Sequence, residues 1–158
     1  MNKCRLLIVE DDTALAALLE ELLSEADYTV RVCHRGDAAL EILSRETFDL
    51  VLSDIRLPGA SGLSILEQAS GDPCRTLVIL MTGFSGIEDA LDAVDQGAYD
   101  FVSKPFQLPE IRVRLDNAAR YQQLMRKLMD EEVVISPQHK RISDHAAVRV
   151  YGAQKKLD

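Results

Sequence analysis

The stretch "IVEDDTALA", Ile8 to Ala16, runs from two apolar residues into three adjacent carboxylates, Glu10, Asp11 and Asp12, and then into small and apolar residues. Neighbouring negative charges repel, so the segment needs open solvent, the positive end of a helix or a bound cation to offset them. A short apolar run, a polar turn and an amphipathic stretch in succession form the first half of a βαβ unit.

The rest of the chain repeats that pattern. Apolar runs at Arg5–Val9, Thr29–Cys33, Leu50–Ser53, Leu77–Met81 and Phe101–Ser103 predict five strands. Between them, "TALAALLEELLSEA" carries Leu15, Leu18, Leu19, Leu22 and Leu23 at helical spacing, and "DAALEILSRE" carries Ala39, Leu40, Ile42 and Leu43. Further helices are expected over Ser61–Ala69 and Ile87–Asp95, with turns at "PGASG", "GDP", "GFSG" and "QGA". The pattern implies an α/β fold with a parallel sheet covered on both faces.

From Leu108 the sequence turns helical again. Ile111, Leu115, Ala118, Tyr121, Met125, Leu128 and Met129 fall on one broad side, longer than a capping helix needs. The reading is therefore one domain over 1–121, a helical extension or linker over 122–135 and a flexible polar tail over 136–158.

Composition narrows the function. The 158 residues are 47% hydrophobic and 28% charged, as in a soluble globular protein. A net charge of -8, from 26 acidic and 18 basic side chains, would repel a phosphate backbone, so no direct nucleic-acid contact is expected. The apolar run after Arg5 is too short for a secretory core or a membrane span. Cys4, Cys33 and Cys74 have neither metal-ligand nor redox spacing and suit packed thiols in a reducing cytoplasm. His34, His139 and His145 also lack ligand spacing and are read as surface residues.

In a parallel α/β sheet, ligands bind beyond the carboxyl ends of the strands. Here those ends offer Glu10, Asp11 and Asp12, then Ser53 and Asp54, then Thr82, then Ser103, Lys104 and Pro105. Each has a plain structural role open to it: Asp12 could cap the first helix, Asp54 a turn, Thr82 could be a strand residue and Lys104 could be solvated. Their concurrence points instead to a site. Oxygens from Asp11, Asp12 and Asp54 suit Mg²⁺, which would also relieve the clustered charge.

Four motifs in order, "VEDD", "VLSDIRLPGASG", "LMTGFSG" and "GAYDFVSKPF", resemble those of response-regulator receiver domains of two-component signalling. The resemblance covers about Asn2 to Tyr121. It implies a flavodoxin-like five-stranded parallel sheet of order 2-1-3-4-5 with helices on both faces. Asp54 would be the nucleophile that accepts a phosphoryl group from a phosphohistidine of a sensor histidine kinase. Asp11, Asp12, Asp54 and the backbone carbonyl of Arg56 would hold Mg²⁺. Lys104 would take up charge on the phosphoryl oxygens and Thr82 would hydrogen-bond the phosphoaspartate. A cis peptide between Lys104 and Pro105 is also implied. Phe101 matches the aromatic switch position, where tyrosine is frequent, and it can pack inward but cannot hydrogen-bond outward; Tyr99 is the alternative.

Such a chain would catalyse its own phosphoryl transfer and dephosphorylation without turning over an external substrate. Segments such as "GFSGIEDALDAVDQGAYDFVSKPF" resemble receivers of NtrC-like transcriptional activators, whose output domains follow a helical linker. The wide apolar stripe predicts a homodimer through the last helix, with packing on an absent output domain as the other reading. Two further functions compete with this reading. A haloacid dehalogenase-type phosphatase would need an Asp-x-Asp motif where this chain has Glu10 and Asp12, and a phosphorylation-independent interaction module would not need Asp54, Thr82 and Lys104.

Overall fold

The computed structural model describes residues 3–69, 72, 74–83 and 87–134. The tail over 136–158, His139, His145 and parts of the "GDP" and "GFSG" turns lie outside the described residues. In chain order the elements are β1 (Cys4–Val9), α1 (Thr13–Glu25), β2 (Tyr28–Cys33), α2 (Gly36–Arg45), β3 (Leu50–Asp54), α3 (Gly62–Ala69), β4 (Leu77–Thr82), α4 (Ile87–Asp95), β5 (Asp100–Ser103) and α5 (Leu108–Val134). Two compact units result, Met1–Gln122 and Gln123–Asp158.

All strand pairs are parallel and the sheet order is β2-β1-β3-β4-β5, as the resemblance implied. Successive side chains of a strand point to opposite faces, and here both faces are buried. Leu6, Ile8, Leu50, Leu52, Ile79 and Met81 form one core with Leu19 and Leu23 of α1 and Ile111, Leu115 and Ala118 of α5. Their neighbours Leu7, Val9, Val51, Val78 and Leu80 form the other with Ala39 of α2, Ile65 and Leu66 of α3 and Ala93 of α4. Fully burying each such leucine or isoleucine contributes about 1.5–3 kcal/mol. One-residue slippage would exchange the two sets, so the alternation also fixes register.

Differences from the expected bounds are small and have local causes. β3 and β4 each extend one residue, so Asp54 and Thr82 are strand residues. Ser61 lies before α3, where its Oγ accepts from the Ser64 N–H at 3.3 Å, so it caps the helix without joining it. The turns at Gly59 and Gly97 have φ of 87° and 105°, a region that favours glycine.

The apolar stripe of α5 divides. Ile111, Leu115 and Ala118 are buried in the first unit, and so is the polar Gln122, whose Nε2 donates to the Asp49 carbonyl at 2.8 Å. In the second unit Leu124, Leu128 and Met129 are 61%, 55% and 51% exposed.

Candidate functional site

The carboxyl ends of β1, β3, β4 and β5 bring Glu10, Asp54, Thr82 and Lys104 to one rim of the sheet. Asp54 closes the central strand β3, 9% exposed, beside Met81 of β4. Behind it the chain turns tightly: the Ile55 N–H donates to the Met81 carbonyl at 3.0 Å and the Gly62 N–H to the Ile55 carbonyl at 2.8 Å. A side chain at Gly62 would collide with the Asp54 carbonyl, and one at Gly36 with the Ala60 carbonyl. The Gly36 N–H also donates to the Pro58 carbonyl at 2.9 Å, so α2 and α3 together fix the loop after Asp54.

Lys104 reaches the rim from β5, and its peptide bond to Pro105 is cis. Its Nζ donates at 2.9 Å to both carboxylate oxygens of Glu10 and at 2.9 Å to Oδ2 of Asp54. The Lys104 side chain is 25% exposed against 1% for Glu10. Burial lowers the ammonium's affinity for its proton, but hydrogen bonds and charge from Glu10 and Asp54 together outweigh it and hold Lys104 above its ordinary value. Burial is also the largest influence on Glu10; with the nearby Asp54 charge it keeps this carboxyl above its usual range despite the bond from Lys104.

Oxygens of Glu10, Asp11 and Asp54 all lie within 4.8 Å of one another. Asp11 and Asp54 of the metal set expected from the sequence lie in this cluster, together with Glu10. Asp12 is not one of these three: its Oδ1 accepts from the Ala14 and Leu15 N–H groups at 3.1 and 3.2 Å, capping α1. Glu10 follows β1 and is buried, its carboxylate bonded to Lys104. The cap satisfies two N–H groups that the first turn of a helix otherwise leaves without partners.

The three carboxylates fit a divalent cation. Hard oxygen donors are what Mg²⁺ and Ca²⁺ take. Formally, three negative charges against the one positive charge of Lys104 leave two uncompensated.

Thr82, 2% exposed, ends β4 opposite Ser103, and its carbonyl accepts from the Lys104 N–H at 2.6 Å. Phe101 is half-buried and packs against the core of α2, α3 and α4. Tyr99 stacks on Tyr121, ring centroids 5.4 Å apart. Arg56 is exposed in the loop after Asp54. His34, read as a surface residue, is exposed but places its Nδ1 2.9 Å from the Glu10 carbonyl. Neither that contact nor Glu10's burial was readable from spacing.

Comparison with known proteins identifies the family and the fold. The family description "Response regulator receiver domain" matches residues 6–116. The chain is 37% identical over 122 residues to the transcriptional regulatory protein DltR of Streptococcus agalactiae, covering 77% of this chain and 54% of that protein. It is 36% identical over 116 residues to the DNA-binding transcriptional regulator NtrC of Escherichia coli, covering 73% of this chain and 25% of that one. The chain thus spans about half or less of these relatives. A CheY-like response regulator receiver domain protein from Methanospirillum hungatei superposes with a TM-score of 0.72 at 27% identity, over 78% of this chain and 98% of that one.

Proposed function

Because the chain belongs to the response regulator receiver domain family, we propose that it switches signalling state when Asp54 accepts a phosphoryl group from a phosphohistidine of a sensor histidine kinase. The observation that carries this reading is the placement of Asp54 at the end of the central strand, 2.9 Å from the Lys104 ammonium and within 4.8 Å of Glu10 and Asp11. An Asp54 oxygen forms the new P–O bond while the donor's P–N bond breaks, and the imidazole leaves with that bond's electron pair. The protein's share of such a transfer is positioning and charge neutralisation.

Lys104 holds Asp54 in place before transfer and offers its ammonium to the oxygens of the incoming group. The buried Thr82 would give its hydroxyl to the phosphoaspartate, and Phe101 would be the aromatic of the switch, packing inward. Glu10, Asp11, Asp54 and the Arg56 carbonyl would hold Mg²⁺, which when bound supplies positive charge against the phosphoryl oxygens. Incubation with a small phosphodonor and Mg²⁺ should add one phosphoryl group by intact-protein mass and none to Asp54→Ala. Equal labelling of that variant would overturn the assignment.

The phosphatase alternative finds no support in the family match. The output belongs to the same proposal: DltR and NtrC are transcriptional regulators longer than this chain, and we read transcription control through a further domain as the setting in which this receiver works. The buried Cys33 thiol suits a reducing, cytoplasmic location, and no helix among the described residues is long and apolar enough to cross a membrane. The exposed Leu124, Leu128 and Met129 favour a homodimer through α5. Sedimentation of this chain as a dimer, and of a version ending at Ala119 as a monomer, is the expected result; two monomers at high concentration would leave the stripe to an output domain.

A further inference from the structure

His34 follows β2 directly, and its Nδ1 stands 2.9 Å from the backbone carbonyl oxygen of Glu10. A carbonyl can only accept, so the imidazole donates from Nδ1. That carbonyl belongs to the peptide unit that joins Glu10 to Asp11, two of the three clustered carboxylates. The preceding peptide is held as well, since the Glu10 N–H donates to the Cys33 carbonyl at 3.1 Å. On the far side of Asp11, Asp12 is tied to α1 by its two cap bonds. Asp11 is the exposed member of the three, whereas Glu10 lies buried in the grip of Lys104. With Asp11 at the surface, the backbone on either side of it sets the direction of its carboxylate.

We propose that His34 is a positioning residue for the cation site: by fixing the Glu10–Asp11 peptide plane it aims Asp11 at the position shared with Glu10 and Asp54. The assignment rests on the Mg²⁺ reading above and adds to it a residue that touches no metal. Its hydrogen bond is partly buried but joins two residues that belong to neither apolar core, so its loss bears on the aim of Asp11 more than on the packing that holds the fold.

The test is a Mg²⁺ titration by calorimetry of the parent, His34→Ala, His34→Asn and Asp11→Asn, with the melting temperature of each metal-free protein alongside. The alanine variant should bind about fivefold more weakly, the ratio that one net hydrogen bond corresponds to. Asparagine carries an N–H donor at the branch where histidine has Nδ1, and should return to within about twofold of the parent. Both should melt metal-free close to the parent. Parent-like binding by His34→Ala, or binding by His34→Asn as weak as by alanine, overturns the role of His34 while leaving the cation site standing. An absence of saturable binding in the parent, or undiminished binding in Asp11→Asn, removes the cation site and this inference with it. If alanine unfolds the protein, the asparagine variant and His34→Leu decide between the same two outcomes.

Discussion

The two ends of the sheet treat charge in opposite ways. Near the amino ends of the strands, Arg5 and Arg31 face Glu46 and Asp49, two positive charges against two negative. Arg31 lies 2.6 Å from Glu46, the Arg5 backbone N–H donates to Asp49 Oδ2 at 2.7 Å, and the Arg5 guanidinium sits 4.8 Å from the centroid of Phe48. Gln122 and Thr76 add bonds to the Asp49 and Phe48 carbonyls. At the carboxyl ends, Glu10 and Asp54 share one ammonium, Asp11 lies within 4.8 Å of both, and the three keep two formal negative charges in excess of it. One end sets its polar groups against each other and holds the fold; the other leaves negative charge uncompensated, where the proposed cation and phosphoryl group would sit.

Lys104→Met should give the largest effect. Labelling of Asp54 by a small phosphodonor should slow about a hundredfold, as when one preorganised charge partner is removed from a transfer site. The metal-free protein should also lose about 2 kcal/mol in urea unfolding at neutral pH, because Glu10 is left buried without its partner. Labelling at the parent rate would mean that the carboxyl end is as inert as the amino end.

Mg²⁺ comes next. Raising it to about a hundred times its dissociation constant should add about 2.7 kcal/mol of stability, read as a rise in melting temperature. Asp11→Asn should lose most of that gain, while Arg31→Ala, at the other end, should keep it. Equal gains in all three proteins would show the metal acting elsewhere.

Tyr28, the first residue of β2, tests the amino end through pH. Its buried hydroxyl donates to Asp116 Oδ1 at 2.6 Å, and burial followed by that bond pushes its ionisation well above the ordinary value. The unfolded chain therefore releases this proton first. The stabilisation is complete below about pH 10, the unfolded tyrosine value, and is lost progressively as pH rises above it. Tyr28→Phe should cost about 1–2 kcal/mol at neutral pH and show a shallower alkaline decline in urea unfolding; an identical alkaline slope would refute the bond's role. Arg31→Ala closes the series. Both partners of its pair are partly exposed, 47% and 38%, so the loss in the same assay should stay below about 0.5 kcal/mol.

What could be read in advance follows the range of the forces involved. Short continuous apolar runs are a local signal and marked the five strands; the resemblance supplied their order. The carboxyl-end rule then brought Asp54, Thr82 and Lys104 into one search. Choosing among Glu10, Asp11 and Asp12 required more, because one residue's shift at the strand end exchanges a buried position for a cap. The helix after Asp12 was a readable cap signal, and that plain reading is the one the structure supports. Glu10's place depends on Lys104, 94 residues away. Gln122 and Asp49 meet across 73 positions, and no pattern within a helix marks a buried glutamine whose partner lies on a distant strand.

Gly36 and Gly62 bear on how this protein would look in a saturation-mutagenesis screen. Neither carries a functional group, yet any side chain at either position runs into backbone behind the Asp54 loop. A screen scored on signalling output would rank both beside Asp54 and Lys104, and a map drawn from it would enlarge the apparent active centre by two residues of scaffold. Scoring abundance in parallel would separate them: Asp54 variants should accumulate in silence, whereas Gly36 and Gly62 variants should disappear.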